Sequence, residues 1–283
     1  MNDPETWRQQ LREPDGAAAL PPDIDITVPS VARMYDYALG GKTNFEADRQ
    51  ALDGLNKEIP GVAALATDNR EFLRRGVRFL VAEAGIRQII DVGSGLPTAG
   101  NVHDIAHAID PGVRVVYVDN DPLVLAHGHA LLADNDTTLV IQADAADPAA
   151  ILDHPVTRGL LDLGQPYAVV LVGLLHWLSD EQDPVGVTTY FREYMPAGSY
   201  LLASNLLDDE LLARDIEYEL LKRVGVGTFR PWEQHRKYFD GLDLVPPGLV
   251  YANDWRTDGT RPEHDPTLPD YTTYLTGGCG RKP

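Results

Sequence analysis

The chain has one cysteine, few basic residues and no long apolar run, and each shortage excludes a class of protein. A single thiol, Cys279, can form neither an intramolecular disulfide nor a thiolate zinc cluster. In TGGCGRKP we expect it to lie in or beside a final strand rather than to act as a nucleophile. No apolar run reaches the ~18 residues of a membrane span, and MNDPETWRQQ lacks a signal-peptide pattern. We expect a cytoplasmic protein with no membrane partner.

Acidic residues outnumber basic ones by a wide margin. The sequence has 24 Lys and Arg against 43 Asp and Glu, a formal net charge of −19. Because such a surface repels polyanions, the composition argues against nucleic acid or an anionic membrane as a partner. With 283 residues, 43% of them hydrophobic, the chain is long enough for an α/β enzyme that acts on a small molecule.

The N-terminal part differs in pattern from the rest of the chain. Residues 1–28 are rich in Pro, Asp and Ala without an apolar period, which predicts a mobile or extended arm. Residues 29–84 carry three helical patterns, the third over 68–83. The Gly40-Gly41 pair is the predicted stop of the first helix and Asn44 the predicted N-cap of the second.

From residue 85 to 283 the pattern is that of a single larger unit. Strands alternate with helices, for example QIIDVGSG before NVHDIAHAI, which predicts a doubly wound, Rossmann-like α/β fold with a parallel sheet. Apolar runs such as YAVVLVGLLHWL are typical of strands buried on both faces. Two closing strands are predicted in LDLVPPGLVYAND and PDYTTYLTGGCGRK.

The loop IIDVGSGLPTAGNVH is the most informative segment. Gly93 and Gly95 allow a ligand to approach the backbone closely, where open α/β sheets bind their ligands. A dinucleotide fingerprint needs a third glycine, but Thr98 stands there after Pro97. The mismatch argues against an NAD(P)-dependent oxidoreductase, the alternative enzyme class.

Carboxylates follow the first three predicted strands. Asp91 would repel a pyrophosphate but suits a ligand with an ammonium group. Asp119 lies 24 residues beyond the second loop glycine, where a ribose-binding carboxylate is expected. Asp144 could accept a hydrogen bond from an adenine amino group. Each of the three could instead cap the next helix, as we expect of Asp147. Carboxylates at three successive strand ends, however, favour a ligand site.

Four segments resemble, in their order along the chain, the motifs of class I S-adenosylmethionine-dependent methyltransferases: DVGSG, VYVDNDP, QAD and LLHWLSDEQDP. The chain is also similar, over residues 29–282, to a bacterial methyltransferase-like family. That family carries GGK-x-N-F-x-A-D-R upstream and DVGSGLPT-x-x-NVH at the cofactor loop. The resemblance implies S-adenosylmethionine as cofactor and methyl transfer as activity, but names no acceptor.

The resemblance also implies a fold and a set of cofactor contacts. The sheet would have seven strands, parallel except for one antiparallel strand near the C-terminus. Asp91, Gly93 and Gly95 would contact the methionine part of the cofactor, and Asp119 its ribose hydroxyls. The adenine would meet three residues: Asn120, Ala143 and Asp144.

In such a fold MYDYALGGKTNF would form a helical lid over the sulfonium end of the cofactor. The Gly40-Gly41 turn would permit close backbone approach, and Tyr35, Tyr37 and Phe45 would supply walls. The methionine carboxylate or the acceptor would be anchored by Arg33, Lys42 and Asn44. The alternative is that the glycines and Asn44 only cap helices, with the tyrosines in the core.

Methyl transfer needs a general base only if the acceptor loses a proton. The candidates are His176, at the end of the fourth predicted strand, then Asp36 and Tyr37. Two histidine pairs have spacings that suggest a metal but lack carboxylate partners, so we interpret them as helix-face residues: His103 with His107, and His127 with His129.

A non-enzymatic module that binds the same cofactor is the remaining alternative. It would keep Gly93, Gly95 and Asp119 but have no acceptor pocket. An apolar, aromatic cavity beside His176 would favour the enzyme.

Overall fold

A mixed sheet with helices on both faces organises the protein. The structure is a computed structural model that describes residues 24–97, 100–131, 135–208, 211–259 and 267–283. Residues 1–23 of the predicted arm, and Thr98, lie outside the described residues.

The strands within these ranges are β1 (Gln88–Val92), β2 (Arg114–Asp119), β3 (Thr138–Gln142), β4 (Ala168–Val172), β5 (Tyr200–Leu206), β6 (Asp243–Leu244), β7 (Val250–Tyr251) and β8 (Leu275–Arg281). The α-helices are α1 (Val31–Ala38), α2 (Glu46–Glu58), α3 (Ala64–Arg78), α4 (Val102–His107), α5 (Pro122–Leu131), α6 (Pro148–Asp153), α7 (Pro155–Leu160), α8 (Pro184–Tyr194), α9 (Leu211–Val224) and α10 (Trp232–Lys237).

The strand order is β3-β2-β1-β4-β5-β8-β6, and β7 also pairs with β8. β1 lies parallel to β2 on one side and to β4 on the other, so that Ile90 faces both Val116 and Val169. The order of strands therefore reverses between β1 and β4, the point at which open α/β sheets bind ligands. Strands β1 to β5 are parallel to one another, which confirms the α/β fold class. β8 is antiparallel to β5 and β6, which confirms the antiparallel strand near the C-terminus.

Successive strand residues are buried in two separate cores, one on each face of the sheet. Ile89 belongs to a cluster with Met34 and Phe72 of the N-terminal helices. Ile90 belongs to a cluster with Ile151 of α6 and Phe191 of α8. Because strand side chains alternate between faces, the unbroken apolar runs of the sequence supply both cores at once.

The C-terminal edge of the sheet differs from the seven strands expected. The predicted strand LDLVPPGLVYAND is divided into β6 and β7, which pair with β8 at separate places. Val245 still donates to the carbonyl of Cys279 at 2.8 Å, but Pro246 and Pro247 have no backbone N–H to continue the ladder. In the described chain the sheet therefore has eight strands. Cys279 is buried within β8, as predicted.

The N-terminal helices begin and end close to their predicted positions, with one capping error. α1 stops before Gly40, whose φ of +76° is the left-handed conformation of a glycine helix stop. Asn44 is not the N-cap of α2; that position is Phe45, whose N–H donates to the Asp48 carboxylate at 2.8 Å. α3 continues as a π-helical turn, Phe79–Glu83.

Among the described helices we find none with the length and hydropathy that a bilayer crossing requires.

Candidate active site

A cavity of about 450 Å³, here called the strand-end cavity, opens at the carboxyl ends of β1, β2 and β3. Helices α1 and α3 contribute the opposite wall, including Tyr35 and Arg70. The lining from the strand ends includes seven residues that the sequence analysis assigns to the cofactor: Asp91, Gly93, Gly95, Asp119, Asn120, Ala143 and Asp144.

Two glycines shape the loop after β1. Gly93 and Gly95 have φ of +70° and +66°, a region that other residues enter only with strain. A Cβ on Gly93 would also lie 2.5 Å from Cδ1 of Leu174, so this position lacks space for a side chain. The N–H groups of Gly93 and Ser94 both donate to the carbonyl of Val118, at 2.8 and 3.1 Å, which ties the loop to the end of β2.

Asp119 holds this loop from the neighbouring strand. Its Oδ2 accepts from the N–H of Gly95 at 2.8 Å and its Oδ1 from the N–H of Asp121 at 3.0 Å. Burial raises the pKa of the Asp119 carboxyl, and these N–H donors act in the opposite direction. The backbone therefore fixes the orientation of a carboxylate that lines the cavity.

Asp91 is the most buried carboxyl of the strand-end cavity, with 7% of its surface exposed. Burial raises the pKa of Asp91 to about 7, the guanidinium of Arg70 opposes the rise and Asp119 adds to it. A buried carboxylate is costly unless a cation pairs with it. The site is therefore suited to a ligand that brings a positive charge to Asp91.

The residues after β2 and β3 form the outer rim of the cavity. The N–H of Ala143 donates to the carbonyl of Asp119 at 3.1 Å, which aligns the two strand ends. Asn120 and Asp144 are exposed, and Oδ1 of Asp144 accepts from the N–H of Ala146 at 2.9 Å. Asp147 is the N-cap of α6, as predicted, with Oδ1 accepting from Ala150.

Polar residues of α1 bond to the start of α2 and to the turn between the two helices. Nε of Arg33 donates to Asp48 at 2.8 Å, and both side chains are buried. Asp36 accepts from the N–H of Thr43 at 2.9 Å and from Nδ2 of Asn44 at 2.8 Å. These buried carboxylates need partners, and the neighbouring polar groups satisfy them.

The other predicted residues of this segment also lie outside the strand-end cavity. A Cβ on Gly41 would lie 2.0 Å from Oδ1 of Asp36, so this glycine makes room for that carboxylate. The hydroxyl of Tyr37 donates to Asp53 at 3.3 Å. The strand-end lining does not include Arg33, Asp36, Tyr37, Gly40, Gly41, Lys42 or Asn44.

Helix α3 supplies site residues that the sequence analysis missed. Arg70 lines the strand-end cavity with its guanidinium carbon 5.8 Å from the ring centre of Tyr35. Asn69 lines the same cavity and donates through Nδ2 to the hydroxyl of Tyr35 at 3.1 Å. The sequence carries a signal for them, because a run of polar residues, Asp68 to Arg70, interrupts the apolar stripe of α3.

A second cavity, here called the apolar cavity, adjoins the first and has a volume of about 120 Å³. Most of its lining is aliphatic, including Met34, Leu55, Ile216 and Leu220. Six residues line both cavities: Val31, Tyr35, Asn69, Gly173, Trp177 and Val224.

His176 lines the apolar cavity rather than the strand-end cavity. Its Nδ1 accepts from the N–H of Leu206 at 3.4 Å, so the proton of the neutral ring lies on Nε2. Burial lowers the pKa of His176 to about 3, and the charges of His235 and Arg230 act in the same direction. A ring that stays neutral, with its basic nitrogen engaged by the backbone, is a poor general base.

The paired histidines of α4 have contacts of their own. Nδ1 of His103 lies 2.7 Å from the hydroxyl of Tyr117, and Nε2 of His107 lies 2.8 Å from the carbonyl of Val113. Over the described ranges, no group of three His, Cys, Asp or Glu side chains is arranged to hold a metal.

Comparison with known proteins agrees with this geometry. The sheet order, the glycine loop and the carboxylates at the strand ends define a class I S-adenosylmethionine-dependent methyltransferase. A family model for S-adenosyl methyltransferases matches residues 17–283, and the chain belongs to this family. The protein is thus a methyltransferase with S-adenosylmethionine as its cofactor. No curated protein matches the sequence.

Two solved structures are similar over nearly their whole length. A candidate methyltransferase from Thermobifida fusca is 44% identical, with a TM-score of 0.86 over 94% of this chain and 99% of its own. A DUF574 family protein from Streptomyces avermitilis is 37% identical, with a TM-score of 0.84 over 92% of this chain and 99% of its own. The dimethyltransferase RosA from Streptomyces davawensis shares the fold. It is 19% identical, with a TM-score of 0.50 over 89% of this chain and 62% of its own.

Proposed function

We propose that this methyltransferase binds S-adenosylmethionine in the strand-end cavity and transfers its methyl group to a small-molecule acceptor. The observation that carries the proposal is the buried Asp91 carboxyl beside the glycine loop. A cationic amino acid end fits there, whereas a pyrophosphate would be repelled. A cytoplasmic location stays a prediction.

The remaining cofactor contacts follow the order of the strands. Gly93 and Gly95 let the backbone meet the methionine part, and Asp119 accepts from the ribose hydroxyls. The volume of the cavity, about 450 Å³, is within the usual range for such ligands. The adenine lies against the rim residues Asn120, Ala143 and Asp144.

Arg70 is the proposed partner of the methionine carboxylate. It lines the same cavity as Asp91, so one ligand can place its carboxylate on the guanidinium and its ammonium on the carboxyl. Gly40, Gly41 and Asn44 act instead in shaping the α1–α2 turn, and Arg33 acts in joining α1 to Asp48 of α2 and to the carbonyl of Val28.

When bound, the cofactor supplies a sulfonium methyl group, whose carbon–sulfur electron pair returns to sulfur as the acceptor lone pair bonds to carbon. The chain's own residues orient the two reactants and exclude water, which is the main requirement of an in-line displacement. His176 is a weak acceptor for any proton that the acceptor releases, because burial lowers the pKa of its ring to about 3 and its Nδ1 is engaged by the N–H of Leu206. Asp36 and Tyr37, the other predicted bases, lie in α1 and bond to the turn after it and to Asp53 of α2.

A small molecule is favoured as the acceptor for two reasons. A net charge of −19 repels nucleic acids and anionic membranes. The apolar cavity, which shares walls with the strand-end cavity, offers a place for a compact molecule next to the cofactor.

Calorimetric titration tests the proposal. We expect S-adenosylmethionine and S-adenosylhomocysteine to bind and NADH not to bind, with binding lost in Asp119→Ala. The matched control is Asp110→Ala. Asp110 lies in the loop before β2, at the end of that strand opposite to Asp119, and its carboxyl pairs with Arg87. A folded protein that binds neither S-adenosyl compound would overturn the proposed site.

A further inference from the structure

The apolar cavity has the properties of a binding site for an uncharged molecule. Its lining, drawn from the described parts of the chain, includes no charged side chain. Its polar side chains are Tyr35, Asn69, His176 and the indole of Trp177. A charged group placed here would lose its hydration without gaining an ionic partner.

The polar residues are concentrated where the apolar cavity meets the strand-end cavity. The N–H of Gly173 donates to the Ser204 hydroxyl at 2.9 Å, and that hydroxyl donates to Oδ1 of Asn69. Nδ2 of Asn69 donates to the hydroxyl of Tyr35, which donates to the carbonyl of Ala66 at 3.0 Å. This chain of hydrogen bonds fixes Tyr35 and Asn69 at the junction.

The size of the apolar cavity limits what it can hold. Its volume is about 120 Å³. An engineered protein cavity of about 150 Å³ with a similar aliphatic lining stays dry and binds benzene. One ring or a short branched aliphatic chain therefore fits, and a fused polycyclic body does not.

We propose that the apolar cavity binds the body of the methyl acceptor, an uncharged molecule that inserts one ring or a branched aliphatic group. Its reacting atom then lies at the Tyr35–Asn69 junction, facing the cofactor. The assignment of an acceptor rests on the proposed function, whereas binding of an apolar ring does not.

Methionine-methyl NMR tests the proposal on the unmodified protein. The sequence has three methionines, of which Met34 lines the apolar cavity and Met195 is buried in the core on the other face of the sheet. We expect toluene to shift the methyl signal of Met34 and to leave the methyl signal of Met195 unchanged. Benzoate and benzylamine at equal concentration should shift neither. An unmoved Met34 signal, or equal shifts with the charged rings, would overturn the proposal.

A second measurement links the ring to the cofactor. With S-adenosylmethionine labelled at its methyl carbon, we expect a nuclear Overhauser effect between that methyl group and toluene. Toluene bound without this effect would overturn the acceptor assignment. Toluene bound in a protein that does not bind S-adenosyl compounds would overturn the proposed function and leave the apolar site standing.

A variant that fills the cavity supplies the matched comparison. Ala38→Phe adds a ring at the end of α1, in the lining, and should weaken toluene binding at least tenfold while S-adenosylhomocysteine affinity stays within twofold. Ala51→Phe makes the same change on α2, outside the lining, and should retain toluene binding. Equal toluene affinity in both variants would overturn the location of the site.

Discussion

Nε of Arg33 donates to the Asp48 carboxylate at 2.8 Å, with 5% and 0% of the two side chains exposed. Asp48 also accepts from the N–H groups of Ser30 and Phe45, at 2.9 and 2.8 Å. One buried carboxylate thus joins the start of α1 to the start of α2, and α1 forms part of both cavities.

Arg33→Met should therefore destabilise the fold. It leaves the Asp48 carboxylate buried without its cation, a change that costs about 3–5 kcal/mol. Arg158→Met breaks an ion pair whose side chains are 61% and 65% exposed, and should cost about 1 kcal/mol or less. Urea unfolding of the two variants compares them. Equal losses would show that Arg33 has no special structural role.

The affinity for S-adenosylmethionine should rise with pH through about 7. The pKa of Asp91 is raised to about 7, mainly by burial, so a carboxylate that can pair with the ammonium group forms only above that pH. Asp91→Asn should remove this dependence and lower affinity roughly ten- to hundredfold, the value of a hydrogen bond between charged groups. Calorimetry from pH 5.5 to 8.5 measures both effects. A pH-independent affinity in the unmodified protein would count against pairing at Asp91.

Stability should decrease as pH falls below about 6.5. Burial lowers the pKa of His176 and of His235 to about 3, so between pH 6.5 and 3 the unfolded chain binds protons at both that the folded chain does not. Each lowers stability by ~1.4 kcal/mol per pH unit in that window. The raised pKa of Asp91 has the opposite effect between about pH 4 and pH 7. There the folded state holds the extra proton, so Asp91 adds stability as the pH falls.

The free energy of unfolding, measured in urea from pH 4.5 to 7, tests whether stability decreases as the pH falls. His235→Gln removes one titrating group and should make the slope shallower, whatever it does to stability at pH 7. An unchanged slope in this variant would show that His235 does not contribute.

Alanine at the two loop glycines should have different effects. Both positions have φ near +70°, so each substitution introduces strain of about 1–2 kcal/mol. Gly93→Ala adds a clash with Leu174 at 2.5 Å, worth about 1–3 kcal/mol, whereas Cβ of Gly95→Ala meets nothing within 4 Å. Thermal unfolding should rank Gly93→Ala as less stable, and Leu174→Ala should relieve part of its cost. Gly95→Ala should mainly lower cofactor affinity.

Much of the fold could be predicted from the sequence because its signals are local. An apolar run such as that of β4 identifies a strand buried on both faces without knowledge of its neighbours. The Gly40 stop of α1 and the Asp147 cap of α6 depend on residues within one turn. The division of the edge strand has a local cause in Pro246 and Pro247, but the places at which β6 and β7 pair with β8 are a tertiary outcome.

The candidate site also has one part that the sequence predicts and another that depends on tertiary contacts. Asp91, Gly93, Asp119 and Asp144 come together because parallel strands end at one edge of a sheet, a relationship that the sequence pattern carries. Arg33, which resembles a ligand anchor in the sequence, pairs with a buried carboxylate fifteen residues away.

Local sequence patterns establish the α/β class, the position of the glycine loop and the row of strand-end carboxylates. Tertiary packing sets which polar groups line the strand-end cavity: Arg70 and Asn69 from α3 rather than Arg33 and Asn44. It also decided that His176 is neutral and next to an apolar cavity. Burial and hydrogen-bond partners are set by residues far apart in the chain, whereas a turn or a strand is set by its own neighbours.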